Sequence, residues 1–416
     1  MKPQGAAGVV TSAAPSRSAQ RPLAGYRVLD LAGPSGLHCG KLLADMGAGV
    51  LRVEPPGGDP GRRLPPFVAG VPGPDRSLSF LHYHTNKRSI TLNLATQDGR
   101  AILRELAKTA DVVLETQRPG ALDAQDLGYA ALSAINPRIV VASITPFGQT
   151  GPWRDYQATD IAAFALGNTM ALSGEPGESP LQAPGELAYG MTGAYAAYAI
   201  SLALFHRLTS GRGQHVDASL HECAVHIAGY AIPNYSHTHV KPFRSSRKAR
   251  GGDVYNLYRC QDGHVLLFIL PFEQWKRMVE WLGNPPELTD PVFEDVVFRR
   301  SNNDLIYPHI AAFCAPFTKQ ELYDEGQRRR IGISPVNRPG EFLESQHVRE
   351  RQMLAPVEHP TAGPYTYFGP GVRVNGVPPS ADRPAPRIGE HNAAVYCGEL
   401  GFTPAELQRL AAIGVI

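Results

Sequence analysis

Residues 26–58 read YRVLDLAGPSGLHCGKLLADMGAGVLRVEPPGG, and this stretch determines the fold class. The apolar run Tyr26–Ala32 predicts a buried strand that ends at a Gly-Pro pair. Apolar residues recur at helical spacing over 37–46, and a glycine follows, which predicts a short helix. A second apolar run, Val50–Val53, predicts another strand, which Pro55 ends. A strand, a helix and a strand in this order are typical of a parallel sheet covered by helices.

The same alternation continues along the next 170 residues, roughly, and predicts an α/β protein. The apolar patterns predict strands at Ser89–Leu94, Asp111–Leu114, Arg138–Ile144 and Val216–Leu220, and helices at Gly99–Lys108, Leu127–Ile135, Gly193–Leu208 and Glu222–Ala231. The helix at Gly193–Leu208 is apolar nearly all round, as expected for a helix buried among others.

A chain of 416 residues is too long for one ordinary domain of roughly 100–200 residues, so we expect two. Residues 1–22 are small and polar and contain no acidic residue, which favours a disordered tail over a transit peptide. We expect the large domain to begin with residues 23–253. A hairpin with its turn at Gln261-Asp262-Gly263 opens a smaller α+β domain at 254–335, and we expect residues 336–416 to be a linker rich in proline and glycine followed by a return to the large domain.

Composition excludes several classes of protein. The chain is 43% hydrophobic and 19% charged with a net charge of +2, which is globular and gives no electrostatic footprint for nucleic acid. The longest apolar run, Ala194–Phe205, is shorter than the roughly 20 residues that span a bilayer. Five widely spaced cysteines suggest reduced thiols, so we expect a soluble cytoplasmic protein without a membrane segment.

Known cofactor motifs are weak or missing in the sequence. Two His-x-His pairs, at 82/84 and 237/239, lack the acidic or cysteine ligands that would complete a metal site, so we expect no metal. Glu54 stands where the acid of a dinucleotide site would, but the first turn lacks GxGxxG spacing, and a nicotinamide enzyme is therefore only a weak candidate. The basic residues Lys87 and Arg88 could hold a phosphate or carboxylate, or form a solvated face.

Seven segments taken together go further than any one motif. In order they are GYRVLDLAGPSG with LLADMGAGVLRVEPPGGDPGR, NKRSITLNLATQDGR, ETQRPGALDAQDLG, INPRIVVASITPFGQTGP, ATDIAAFALGNTMALSGEPG, LALFHRLTSGRGQHVDASL and APRIGEHN. This series, which extends over about 23–416, resembles the class III CoA-transferase family, the family of formyl-CoA transferase, carnitine CoA-transferase and α-methylacyl-CoA racemase.

The resemblance implies a Rossmann-like large domain that contains both termini, a smaller domain, and two chains interlocked as a dimer. It implies coenzyme A or an acyl-CoA as substrate, and a mobile Gly-rich loop, here Arg250, Gly251 and Gly252, that holds the acyl substrate. The segments that contact CoA in the family correspond here to Gly36, Leu92, Asn93, Leu94, Ala95, Thr116, Gln117, Arg118, Thr145, Pro146, Phe147 and Gly148. All of them lie at or just beyond strand ends, where open α/β sheets bind ligands. The sequence departs from the family at Leu37, where a proline is usual, and at Pro55 and Ala124, where arginines often serve the CoA nucleotide.

The largest departure is at the catalytic position. The resemblance places Tyr189 where the family has its nucleophilic Asp, with Glu186 the nearest acid and Asp160 matching a structural Asp of the family. The chemistry needs a carboxylate that attacks the acyl thioester, and a phenol with an ordinary pKa near 10 does not replace it simply. Tyr189, Tyr195 and Phe164 could also line an aromatic pocket, although such residues more often pack.

Three hypotheses follow. In the favoured one, the chain is the non-catalytic subunit of a CoA-transferase heteromer, a heterodimer or heterotetramer, as in the succinyl-CoA:benzylsuccinate and succinyl-CoA:malate enzymes, and a related chain brings the Asp. In the second, Glu186 or a shifted loop supplies the carboxylate, and the chain is a complete transferase or racemase, with itself as partner in a homodimer. In the third, the chain is a CoA-binding or structural pseudoenzyme.

Overall fold

The computed structural model describes residues 21–174, 177–240, 256–269, 271–377 and 381–416. These residues form two compact units. The first contains the chain up to Thr169, Gln182–Gly229 and Glu350–Ile416, and the second contains Met170–Leu181 and Tyr230–Arg349. The domain boundaries given above remain predictions, and the expected tail at 1–22 lies almost entirely outside the described residues.

The strands of the described chain fall into three sheets. They are β1 (Arg27–Asp30), β2 (Gly49–Glu54), β3 (Arg88–Thr91), β4 (Val112–Glu115), β5 (Val140–Thr145), β6 (His215–Ser219), β7 (Asn256–Cys260), β8 (Gly263–Phe268), β9 (Gly332–Pro335), β10 (Leu354–His359) and β11 (Gly363–Phe368).

Most helices of the described chain connect or flank these strands. They are α1 (Leu37–Asp45), α2 (Leu78–Tyr83), α3 (Gln97–Ala107), α4 (Tyr129–Ile135), α5 (Asp160–Leu166), α6 (Leu187–Ser210), α7 (Leu220–Val225), α8 (Ala231–Thr238), α9 (Phe272–Trp281), α10 (Val296–Ser301), α11 (Asn303–Cys314), α12 (Lys319–Arg328), α13 (Pro339–Glu344), α14 (Gln346–Glu350) and α15 (Pro404–Ala412).

The main sheet has six parallel strands in the order β3-β2-β1-β4-β5-β6, which confirms the predicted α/β class. This is the strand order of the Rossmann fold. The strands are buried on both faces, so they appear in the sequence as continuous apolar runs rather than as an alternation. The order reverses between β1 and β4, and ligands of open α/β sheets bind at such a reversal.

Glycines bring two helices close to each other and to the sheet. A Cβ atom on Gly193 of α6 would lie 2.8 Å from His38 Cβ and 2.9 Å from the Cys39 nitrogen of α1. A Cβ on Gly40 would lie 2.6 Å from Asp30 Oδ2. Only glycine allows these approaches without a shift of backbone or neighbours, so the glycines of this region serve helix packing.

Helix α6 is longer than predicted. It has 24 residues and ends at Gly211, which adopts the left-handed conformation with φ 70°. Among the described residues it is therefore long and apolar enough to cross a membrane, which the sequence analysis did not expect. Its inner face, however, includes the buried residues Ala188, Ile200 and Leu204 and packs on α1 and β5, as the core helix of a globular unit does.

In the second unit, β7, β8 and β9 form an antiparallel sheet, and the Asp262-Gly263 turn confirms the predicted hairpin. The β10–β11 hairpin of the first unit was missed, because Pro356, Gly363 and Pro364 interrupt its alternation. Proline is tolerated there because both strands of a two-stranded sheet are edges. This part of the chain was predicted to be a linker.

Candidate active site

The turns that follow β1 and β4 contact each other at the reversal of strand order. The Gly33 N–H donates to Thr116 Oγ1 over 2.6 Å. A Cβ on Gly36 would lie 2.6 Å from Ala32 Cβ and 3.0 Å from Thr116 Cγ2, so this turn accepts only glycine. The fold therefore brings two of the predicted CoA-contacting segments together at the ligand-binding edge of the sheet.

A buried ion-pair network supports this edge from within. Asp30 Oδ2 lies 2.7 Å from Lys87 Nζ, and Asp30 Oδ1 lies 3.0 Å from Arg52 Nη1. Burial alone would raise the pKa of the Asp30 carboxyl, but these two cations outweigh it and hold the pKa below its ordinary value. Lys87 is therefore paired inside the fold and does not face a ligand. Arg88 is also paired, with its Nη1 2.7 Å from Glu399 Oε1.

The Glu54 carboxylate also has its hydrogen-bond partners inside the fold. Its two carboxylate oxygens accept hydrogen bonds from Arg62 Nε and Nη2, each over 2.7 Å, and from the Ser89 hydroxyl. The side chain is fully buried. An acid that binds the ribose of a dinucleotide must point outward, so the geometry gives no support to a nicotinamide site.

The segment after β3 is anchored by the end of the chain. Leu92 is buried in the core, and the Asn93 N–H and side-chain amide donate to the carbonyl oxygens of Val415 and Gly414 over 2.7 and 3.1 Å. Arg100 Nη1 donates to the carbonyl oxygens of Leu94 and Ala95. At this segment Ala95 is exposed and Leu92 is buried, so a ligand has access to Ala95 but not to the Leu92 side chain.

Arg118 is the exposed cation of the segment after β4. The preceding Gln117 N–H donates to Glu115 Oε2 over 2.5 Å, which fixes the turn. The Arg118 guanidinium makes no ion pair within the part of the chain that the structure describes, and its charge is therefore available to an anionic ligand.

The segment after β5 contains an unsatisfied hydroxyl. Thr145 is fully buried, and its Oγ1 has no hydrogen-bond partner among the described residues. Gly148 adopts φ 84°, and the Gln149 N–H that follows donates to Asp217 Oδ2 over 2.9 Å. A buried hydroxyl without a partner is costly, which makes Thr145 a candidate to bond a bound molecule.

Arg63 was missed by the sequence analysis. It is exposed and, with Gly57 and Phe67, lines a cavity of about 420 Å³ just beyond the carboxyl end of β2. Gly57, which lines the cavity, follows Pro55 by two residues, and Pro55 is a position at which the resemblance leads us to expect an arginine. The GGDPGRR run was a possible signal, because it places two arginines directly after a strand.

Three acidic or phenolic side chains surround the start of α6. The Tyr189 N–H, in the first turn, donates to Asp160 Oδ1 over 2.9 Å, and Glu186 is the N-cap residue. Burial is the largest cause that raises the pKa of Tyr189; the backbone hydrogen bond to Asp160 lowers it in part, and the carboxylates of Glu186 and Asp160 add smaller increases. Burial and Asp160 likewise raise the pKa of Glu186. At neutral pH the Tyr189 phenol is therefore neutral.

The other residues that the sequence suggested for the site differ in how accessible they are. Phe164 is only 1% exposed and lies in the core, so it does not line a pocket as suggested. Tyr195 is 38% exposed, with its ring centroid 5.1 Å from that of His226. Arg250, Gly251 and Gly252 lie outside the described residues. Within the described ranges, no group of three or more His, Cys, Asp or Glu side chains could hold a metal ion.

Comparison with known proteins agrees with this geometry. Residues 23–392 match the model of the CoA-transferase family III. The succinyl-CoA:(R)-benzylsuccinate CoA-transferase subunit BbsE of Thauera aromatica is 32% identical over 94% of this chain and 97% of its own. The succinyl-CoA–L-malate CoA-transferase beta subunit of Chloroflexus aurantiacus is 32% identical over 95% and 98%, and the formyl-CoA:oxalate CoA-transferase of Streptomyces avermitilis is 31% identical over 95% and 99%.

A solved structure of a CAIB/BAIF family protein from Brucella suis superposes with a TM-score of 0.79 at 28% identity, covering 93% of this chain and 99% of that one. The sheet order, the ligand-binding edge and the similarity along nearly the whole chain agree with one another. The chain belongs to the CoA-transferase family III.

Proposed function

We propose that this chain is a subunit of a CoA-transferase that moves CoA between an acyl-CoA, such as succinyl-CoA, and a carboxylic acid. In this proposal the chain binds CoA at the carboxyl edge of its parallel sheet. A related chain supplies the nucleophilic Asp, because Tyr189 occupies that position here.

The phenol at the start of α6 is the observation that carries the proposal. The transferase step begins when a carboxylate attacks the thioester carbonyl, which forms a mixed anhydride and releases CoA thiolate. The thiolate then attacks the enzyme-side carbonyl of the anhydride, which forms an enzyme CoA thioester and frees the acyl carboxylate. A neutral phenol would first have to lose its proton, and the carboxylates of Glu186 and Asp160 oppose the resulting negative charge.

Two of the similar proteins support a subunit role by their names. BbsE is named a subunit, and so is the malate transferase chain of Chloroflexus aurantiacus. Other similar proteins, such as the formyl-CoA:oxalate transferase, are not named as subunits. The interlocked dimer and the predicted contact of Arg250, Gly251 and Gly252 with substrate are part of the same proposal.

Restoring the carboxylate tests the proposal directly. The isolated chain and its Tyr189→Asp variant are incubated with succinyl-CoA, and an enzyme CoA thioester on the α6 peptide is measured by mass spectrometry. We expect no adduct on the natural chain and an adduct on Tyr189→Asp, because an Asp in the first turn of a helix is a favoured site for a carboxylate. Tyr189→Asn is the matched control, since it has the same shape without the charge.

Glu186 offers a second candidate function, a complete transferase or racemase. Its carboxyl stands three residues before Tyr189, and its raised pKa is typical of a functional carboxyl as well as of a crowded one. Turnover by the isolated natural chain that is lost in Glu186→Gln would establish this alternative and overturn the heteromeric proposal. If the chain binds CoA but shows no turnover even when a catalytic related chain is added, the third hypothesis, a CoA-binding pseudoenzyme, is supported instead.

A further inference from the structure

Four aromatic rings cluster in the loop after β5 and on the neighbouring α7. The ring centroid of Phe147 lies 5.6 Å from that of Trp153, 6.3 Å from that of Tyr156 and 5.8 Å from that of His221. The rings of Trp153 and Tyr156 are nearly parallel, with an interplanar angle of 14° and centroids 6.4 Å apart. We call these four residues the aromatic surface.

Two rings of the aromatic surface face solvent, and the other two, Phe147 and His221, are half-buried, on a backbone that is well anchored. Trp153 is 44% exposed and Tyr156 is 59% exposed. The His221 N–H donates to the Pro146 carbonyl oxygen over 3.1 Å, and the Tyr156 N–H donates to the Trp153 carbonyl oxygen over 2.8 Å. Exposed rings on an ordered backbone lose little conformational freedom when they bind, which is typical of a recognition surface rather than of core packing.

The aromatic surface lies next to the candidate active site. It begins within the Thr145–Gly148 segment, at the ligand-binding edge of the sheet. Tyr156 precedes Asp160 by four residues, so their Cα atoms are at most about 14 Å apart, and Asp160 accepts the Tyr189 N–H. Helix α7, which carries His221, packs on α5 and on α6, so the rings stand beside the two helices that carry Asp160 and Tyr189.

A cation accompanies the rings. The Arg154 guanidinium packs against the turn after β4, where a Cβ on Gly120 would lie 3.6 Å from Arg154 Nη2. Arg154 Nε is buried and has no hydrogen-bond partner among the described residues, although it lies 3.6 Å from Asp155 Oδ1. Arg154 stands between Trp153 and Tyr156 in the chain, and a loop that carries both rings and a guanidinium is complementary to an acid with a planar ring and a second carboxylate.

We propose that the aromatic surface binds a planar ring in the acyl group of the acid that gives or receives CoA. The substrate class of this chain is then an aryl-substituted dicarboxylic acid rather than an unsubstituted short one. The inference rests on the proposed function and adds to it the class of acid and the residues that select it.

Direct binding tests this without any need for turnover. The full chain, saturated with CoA, is titrated with benzylsuccinate and with succinate in a calorimeter, and the fluorescence of Trp153 is followed in parallel. The chain has three tryptophans. The other two, Trp275 and Trp281, lie in the second unit, so Trp281→Phe is a control that leaves the aromatic surface intact.

We expect benzylsuccinate to bind up to about tenfold more tightly than succinate, the contribution of one aromatic pair at the upper end of its usual range. Trp153→Ala and Tyr156→Ala should each remove most of this preference while CoA affinity stays unchanged. Failure of the natural chain to bind CoA would contradict the proposed function instead, which separates the two failures.

Three results would overturn the inference. The first is equal affinity for the two acids. The second is displacement of a stacked ligand from Trp153 by adenosine 3′,5′-bisphosphate, which would assign the rings to the adenine of CoA. The third is a change in molecular mass of Trp153→Ala by light scattering, which would assign the rings to a contact between chains.

Discussion

Lys41 carries a buried charge on the inner face of α1. Its Nζ lies 3.2 Å from Asp45 Oδ2 and 3.8 Å from the centroid of the Tyr367 ring, which ties α1 to the β10–β11 hairpin. Burial lowers the pKa of Lys41 from 10.5 to about 8, and Asp45 offsets only part of this. The side chain thus stabilises the contact through its alkyl stem and ring contact more than through its charge.

This pKa predicts a pH-dependent stability. Between about pH 8 and pH 10.5 the folded chain holds Lys41 neutral while the unfolded chain still protonates it. Because the unfolded state binds more protons, the free energy of unfolding should rise with pH in this window, by about 1–2 kcal/mol between pH 8 and roughly pH 9.5. The free energy of unfolding is measured by urea denaturation at several pH values, for the natural chain and for the double variant Lys41→Met/Asp45→Asn. The same dependence on pH in the two proteins would refute the prediction.

Arg118 is the second prediction at the residue scale. Its exposed guanidinium follows β4 at the ligand-binding edge, so Arg118→Ala should weaken CoA binding by about 1–3 kcal/mol through loss of a charge-assisted hydrogen bond. Calorimetry with CoA measures this. Arg212→Ala is the matched control, since Arg212 is also exposed but stands before β6, at the opposite edge of the sheet. An unchanged dissociation constant for Arg118→Ala would remove this residue from the site.

At the scale of elements, the crossing of α1 and α6 positions the candidate site. Both helices begin near it: α1 follows the Gly33–Gly36 turn, and α6 begins with Glu186 and Tyr189. The close approach at Gly193 therefore fixes the first turn of α6 relative to the turn after β1. A small change at this crossing should affect both stability and site geometry.

Gly193→Ala tests the crossing. The new methyl group would lie 2.8 Å from His38 Cβ, so the helices must separate, and we expect a loss of about 1–3 kcal/mol in the free energy of unfolding. Gly190→Ala in the same helix is the control, because its Cβ would meet no atom within 4 Å. That change should stabilise by up to about 1 kcal/mol, the difference in helix propensity. Equal effects of the two substitutions would show that the crossing is not tight.

At the scale of the whole molecule, the outer face of α6 is unusually apolar. Tyr195, Tyr198, Leu202 and Phe205 follow one another at intervals of 3, 4 and 3 residues and are 38%, 62%, 48% and 71% exposed. This is the spacing at which one helix packs along another. Exposed apolar stripes of this kind mark contacts between proteins.

We expect this stripe to meet the same stripe of a second copy, since a helix with matching 3-4 spacing is the surface that fits it. Chains synthesised with Leu202→Glu/Phe205→Glu should then fold without pairing, with half the molecular mass of the natural assembly by light scattering and an unchanged circular dichroism spectrum. A Leu202→Cys chain should form a disulfide with its copy under oxidation if the two-fold axis passes nearby. A monomeric natural chain would contradict the prediction.

The sequence by itself determined the parallel sheet and the family. Buried strands and amphipathic helices such as α3 produce apolar patterns that depend only on neighbouring residues. The order of these elements could therefore be predicted from the sequence. The motif series was equally local, which is why Gly36, Thr116 and Thr145 could be named before any contact between them was known.

Only the tertiary structure decided which of the named side chains face a ligand. Lys87 and Glu54 had plausible ligand roles in the sequence, but Asp30 and Arg62, distant in the chain or across a loop, neutralise them inside the fold. Phe164 is buried, and Trp153 and Tyr156 are exposed, although the sequence marks all three simply as aromatic. Burial and charge pairing are set by contacts between elements, and a local pattern carries no information about them.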